Sequence, residues 1–172
     1  MTDTTESAGA VSEQDHTHGG GGPAAGTLEA AIALARAAHA GQVDKLGVDY
    51  IEHPLGVMNL VHTVPEKTVA VLHDVVEDTP VTLDDLRARG FDESLVRAVD
   101  ALTKRAGEPL AESMARVAAD PLALVVKRAD LAHNANPARQ AALPPETSRR
   151  LTAKYEESAR LLGTTLAAVL GR

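Results

Sequence analysis

The chain has 172 residues, 44% of them hydrophobic, enough for one domain around one core and too few for two. A formal net charge of −7, with no dense run of Lys and Arg, excludes a continuous phosphate-binding stripe for nucleic acid, and no apolar run approaches the roughly 20 residues that span a bilayer. The absence of cysteine removes disulfides, thiolate metal sites and thiol catalysis together, so any metal must be held by His, Asp or Glu.

Only Tyr50, Phe91 and Tyr155 are aromatic, which leaves Leu, Val and Ala to build the core and points to an all-α fold. The polar start lacks the basic flank and apolar centre of a signal peptide, so a cytoplasmic protein is expected. Residues 1–25 are small and polar and close in a Gly19–Gly22 run and Pro23; they read as a disordered tail, with the domain over 26–172. His16 and His18 lie in that tail and read as solvated.

From Thr27 the pattern is helical, with Leu28, Ala31, Ile32, Leu34 and Ala35 on one side, His39 at the end and Gly41 as a stop. A polar loop over 42–52 precedes His53-Pro54, where Pro54 suits the first turn of a second helix carrying Leu55, Val57, Met58, Leu60 and Val61. A third helix is expected over 66–78, and a fourth from Thr82, with Asp85 completing a capping box, to near Gly90. Amphipathic stretches follow at 92–104, 109–119 and 121–135, then one long last helix over 145–170. There is no internal repeat and no strand run.

The third helix carries His73-Asp74-Val75-Val76-Glu77-Asp78. At about 100° per residue these four polar side chains share one sector, while Val69, Leu72 and Val76 face the core. Three carboxylates and an imidazole on one face repel unless solvated or neutralised by a cation, so a metal site and a solvated acidic face both fit this helix alone. Further on, Asp130 follows the apolar stretch 122–126 in Lys127-Arg128-Ala129-Asp130-Leu131-Ala132-His133-Asn134, where a buried carboxylate needs a partner.

His53, then the His73-Asp74 pair about 20 residues on, then Asp130, stand in the order of the HD superfamily signature. The chain resembles most the hydrolase domain of alarmone (ppGpp) hydrolases of the Rel/Spo type and their small stand-alone relatives. The likeness covers residues 27–162, through Ala38-His39-Ala40-Gly41-Gln42, Tyr50-Ile51-Glu52-His53-Pro54, Leu72-His73-Asp74-Val75-Val76-Glu77-Asp78-Thr79, Leu102-Thr103-Lys104 and Lys154-Tyr155. It implies an HD-domain helical bundle in which His53, His73, Asp74 and Asp130 hold one divalent ion, usually Mn²⁺. Glu77 and Asp78 are then the acidic pair that orients or deprotonates the attacking water, and the substrate is a small phosphorylated nucleotide that loses its 3′-pyrophosphate. By the same resemblance Lys45, Lys104, Lys127, Asn134 and Tyr155 contact the nucleotide. A nucleotide-binding sensor without turnover is the alternative, although it would have no need of the acidic pair. His39 and His133 read as structural and His62 as surface.

Where the family pattern has a basic pair before the metal-binding His, this chain has Asp44-Lys45; Leu131 and Pro137 also depart from it. Asp44 is therefore expected to weaken binding of a tetraphosphorylated nucleotide by about ten- to a hundredfold, and Asp44→Arg to restore it.

Overall fold

The structure is a computed structural model that describes residues 23–171. The expected tail thus falls almost wholly outside the described residues, His16 and His18 included. Among the described residues the chain is helical, with a single isolated antiparallel bridge between Val43 and Asp49.

The helices are α1 (Leu28–Ala38), α2 (Glu52–Met58), α3 (Val64–Leu72), α4 (Val75–Asp78), α5 (Leu83–Ala88), α6 (Glu93–Leu102), α7 (Leu110–Ala119), α8 (Pro121–Asn134), α9 (Pro137–Ala141), α10 (Pro145–Leu161) and α11 (Leu166–Val169). Their starts follow the expected chemistry. Thr27 accepts from the Ala30 amide, and the Thr82–Asp85 capping box is present in both directions. A second capping box, Thr63 with Glu66, opens α3 two residues earlier than expected.

Helix α3 is the centre of the bundle and packs against α1, α2, α6 and α8. Thr68, Val69, Ala70, Val71 and Leu72 are all buried, so the second half of this helix is covered on every side. The hydroxyl of Thr68 is satisfied by donating to the Val64 carbonyl at 2.8 Å. Val57, Val96, Val99, Val117 and Val126 close around it with no accessible surface, and Phe91 is the one aromatic ring in the core cluster. The aliphatic core expected from composition is what packs these helices.

Three expectations are corrected. The helix expected over 66–78 is broken between α3 and α4: the His73 ring donates from Nδ1 to the Ala70 carbonyl at 2.7 Å, taking the acceptor that the Asp74 amide would use in a continuous helix. The break shifts the apolar register, so Val75 is fully buried and Val76 only half-buried. The last helix, expected over 145–170, stops at Leu161. Gly163 sits at φ +70° and the Thr164 amide turns back to the Ala159 carbonyl, a left-handed helix ending that favours glycine. Helix α9, capped by Asn136 and begun by Pro137, was not expected at all.

Candidate metal centre and active site

Helices α2, α3 and α8 bring His53, His73 and Asp130 together, with one ligand atom of each lying within 4.8 Å of the others. His53 stands in the first turn of α2, His73 caps α3, and Asp130 lies in the last half of α8; all three are buried. Asp74 completes the cluster. Its Oδ2 lies 3.1 Å from His73 Nε2 and 3.5 Å from His53 Nε2, while Asp130 Oδ1 lies 3.3 Å from His53 Nε2 and 3.9 Å from His73 Nε2. Ligands about 2.1 Å from one ion stand about 3.0–3.4 Å from each other in octahedral or tetrahedral geometry, so these separations are close to those of a formed site.

The donor chemistry also fits a divalent ion. His73 Nε2 is buried without a hydrogen-bond partner among the described residues, and its tautomer is set by the Nδ1 bond to Ala70. Burial opposes charge on this imidazole, but Asp74 and Asp130 outweigh it and push the pKa up to about 9. Burial likewise opposes the charged carboxylates; for Asp74 the neighbouring His73, and for Asp130 the Lys127 ammonium and both imidazoles, hold them below the usual carboxylate range. The cluster without metal is thus a proton-stabilised pair of anions, and a cation can take the place of that proton.

A surrounding layer aims the ligands. Tyr50 donates its hydroxyl to Asp74 Oδ2 at 2.7 Å and sits 3.2 Å from Asp78 Oδ2, and its ring packs between those of His39 and His53. Burial, Asp74 and Asp78 all push the Tyr50 phenol up, so it stays a donor. His39 is fixed in turn by Gln42, whose amide donates to the Asp78 carbonyl. Lys127 Nζ donates to Asp130 Oδ2 at 2.8 Å and Asn134 Nδ2 to Asp130 Oδ1. His53 and His133 share a hydrogen bond between their Nδ1 atoms at 2.9 Å, and burial together with His53 and Arg139 brings His133 down to about 4, leaving it neutral and able to accept. His133 fits there only because residue 56 is glycine: a Cβ at Gly56 would stand 2.3 Å from His133 Nε2. Gly56→Ala should push that ring aside, release His53 and weaken metal affinity about ten- to a hundredfold, as read by metal titration. Unchanged affinity would mean that His133 does not orient the ligand.

A second test follows from His73. Its raised pKa contributes stability to the metal-free protein that is fully present below the ordinary imidazole value and lost as pH rises through about 9. Metal must displace that proton, so affinity should rise by about tenfold per unit of pH between 7 and 9. A flat profile over that range would contradict the assignment of His73.

The cluster lies at the base of a cavity of about 450 Å³. Glu77, Asp78, Lys45, Lys104, Lys127, Asn134 and Tyr155 all line it, so the expected acidic pair and nucleotide contacts gather around the cluster. Glu77 is exposed, with Oε2 accepting from the Lys104 amide at 2.8 Å. Lys154, part of the likeness but given no role there, also lines the cavity; burial first and then Lys127, Lys104 and Lys45 hold its ammonium below the usual lysine value. The three lysines that act on Lys154 mark a concentration of positive charge in the cavity.

Asp44 does not face the cavity as a free negative charge. Its Oδ1 accepts from the Leu46 and Val48 amides at 2.8 and 3.1 Å, and its Oδ2 from Arg139 Nη2 at 2.9 Å. The expectation that Asp44 repels an anionic substrate is therefore corrected, and Asp44→Arg should disrupt this turn and oppose two guanidinium groups. His62 is exposed, as expected.

A model of the HD-domain family matches residues 31–157. Among curated proteins, a probable GTP pyrophosphokinase of Mycobacterium leprae is 35% identical over 136 residues, covering 72% of this chain and 17% of its own length. A probable guanosine-3′,5′-bis(diphosphate) 3′-pyrophosphohydrolase of Synechocystis is 36% identical over 133 residues, covering 69% of this chain and again 17% of its own. The chain thus spans about a sixth of the length of these relatives. The solved structure of a metazoan SpoT ortholog that hydrolyses ppGpp superposes with a TM-score of 0.70 over 84% of this chain and 91% of that one, at 19% identity, and so shares the fold. The match to the family model over most of the chain, with His53, His73 and Asp130 gathered in one buried cluster, establishes that the chain belongs to the HD-domain family.

Proposed function

We propose that this protein is a metal-dependent phosphohydrolase that removes pyrophosphate from the 3′ position of ppGpp or a closely related phosphorylated nucleotide. The observation that carries the reading is the buried His53, His73, Asp74 and Asp130 cluster opening directly onto an acidic pair and a lysine-lined cavity. The name of the Synechocystis relative, a probable guanosine-3′,5′-bis(diphosphate) 3′-pyrophosphohydrolase, supports it.

A divalent ion held by these four residues, Mn²⁺ by the chemistry of mixed imidazole and carboxylate donors, would supply Lewis-acid polarisation of the phosphoryl group and a more acidic water. The chain's own residues do the rest. Glu77 lines the cavity with one carboxylate oxygen pinned by the Lys104 amide, which holds the carboxylate in place and leaves its other oxygen to accept a proton. Asp78, steadied by Tyr50, orients the water from the other side. Lys104, Lys127 and Lys154 offset the phosphate charges, and Tyr155 walls the cavity opposite. Asn134 grips Asp130 with its amide nitrogen and turns its remaining oxygen to the nucleotide. The catalytic unit is residues 26–172, acting in the cytoplasm on a small nucleotide and not on a nucleic acid.

A panel of nucleotides incubated with the Mn²⁺-loaded protein tests this reading. Release of pyrophosphate from ppGpp is the expected result. Binding of ppGpp without turnover would favour a sensor, and release of orthophosphate alone from other nucleotides would move the substrate elsewhere.

A further inference from the structure

Resting on that reading, we propose that Arg139, aimed by Asp44, binds the phosphate group of the substrate that lies away from the metal cluster.

Arg139 comes from α9 and reaches a loop 95 positions earlier in the chain to meet Asp44. The Asp44 carboxylate is nearly buried, at 8% exposure, and accepts from two backbone amides and one guanidinium nitrogen. Its negative charge is offset locally by the guanidinium. The guanidinium is different: it is 30% exposed, lines the cavity, and uses only Nη2 on Asp44. The other N–H groups of a planar fork are left to an acceptor in the cavity, and a fork suits phosphate better than a point charge does.

The base of Arg139 is also fixed. Asn136 caps α9 through the Ala138 amide, Gln140 donates to the Asn134 carbonyl at 2.8 Å, and Ser148 of α10 donates to Gln140 at 2.9 Å. Helix α9 is thereby tied to α8 and α10, and the ion pair ties it to the loop, so the guanidinium is held from both ends. Preorganisation of this kind lowers the ordering cost of binding.

The cations of the cavity divide by position. Lys127 sits on Asp130, and the Lys104 amide holds Glu77, so both belong to the metal side. Arg139 is bonded to Asp44 of the loop and to none of the cluster residues, and Lys45 follows Asp44 directly. A nucleotide with phosphates on two positions presents an anion to each side. Asp44 is then a positioning residue, and Arg139 a substrate-binding residue that distinguishes a doubly from a singly phosphorylated nucleotide.

The test compares ppGpp with guanosine carrying only a 3′-pyrophosphate, on the full chain loaded with Mn²⁺. Arg139→Ala should raise KM for ppGpp about tenfold with kcat within about twofold, and leave KM for the singly phosphorylated substrate unchanged. Arg139→Lys, which keeps the charge without the fork, should fall between parent and Arg139→Ala. Asp44→Asn should raise KM for ppGpp less, and the double variant should be no worse than Arg139→Ala alone, because Asp44 acts through Arg139. Metal content and melting temperature of each variant separate loss of binding from loss of fold. An unchanged KM in Arg139→Ala and Arg139→Lys, an equal loss on both substrates, or additive losses in the double variant would overturn the assignment. A parent that turns over neither substrate would instead overturn the phosphohydrolase reading on which it rests.

Discussion

Glu77→Gln is expected to lower kcat by about 10²- to 10⁴-fold while the protein keeps its metal, the usual scale for loss of a positioned base. The substitution is isosteric, and the amide oxygen of Gln can still accept from the Lys104 backbone, so the loop after α6 stays in place. What is lost is the basic oxygen that faces the cavity. Because Glu77 contacts neither imidazole of the cluster, metal content and KM should both hold within about twofold. Loss of metal together with activity would make Glu77 a ligand and contradict the role given to it here.

The second large effect concerns Asp130. An ion that binds only the native state adds roughly 2.7 kcal/mol of stability at a hundredfold excess over Kd, which for a chain of this size is a change in Tm of about 5–10 °C. Excess chelator should therefore lower the Tm of the parent by that amount and leave the Tm of Asp130→Ala unmoved. Asp130→Ala also strands the Lys127 ammonium and the Asn134 amide, a cost on the order of 1–3 kcal/mol, so its own Tm starts lower and the comparison must be made within each variant. Asp130→Asn, which keeps a partner for Lys127, should show the same insensitivity to chelator with less loss of fold. A chelator effect that persists in both variants would remove Asp130 from the site.

Much of this site was legible before the structure, because residue type and order along the chain carry the family resemblance. His53 beside Pro54, the His73-Asp74 pair and Asp130 after an apolar run were picked out by their resemblance to the HD signature, and the fold brings them together. The Thr82–Asp85 capping box was legible because a capping bond spans only three residues. Features that depend on contacts made after folding were not. The interruption of α3 turns on the His73 ring competing for the Ala70 carbonyl, a side-chain choice that periodicity does not encode. Gly163 could have signalled the end of α10, but the apolar residues of α11 continue the pattern past it. Tyr50 was visible as part of a motif, yet its bond to Asp74 joins α4 to the loop before α2. Asp44 was misread for the same reason: its partner, Arg139, lies on a helix that sequence reasoning did not find.

The most direct test of the central claim is a titration of Mn²⁺ into metal-free protein with release of pyrophosphate from ppGpp as the readout. The account predicts no release at the start and a rise that saturates at about one ion per chain. Pyrophosphate release by the metal-free protein, or none at any Mn²⁺ level, would contradict it.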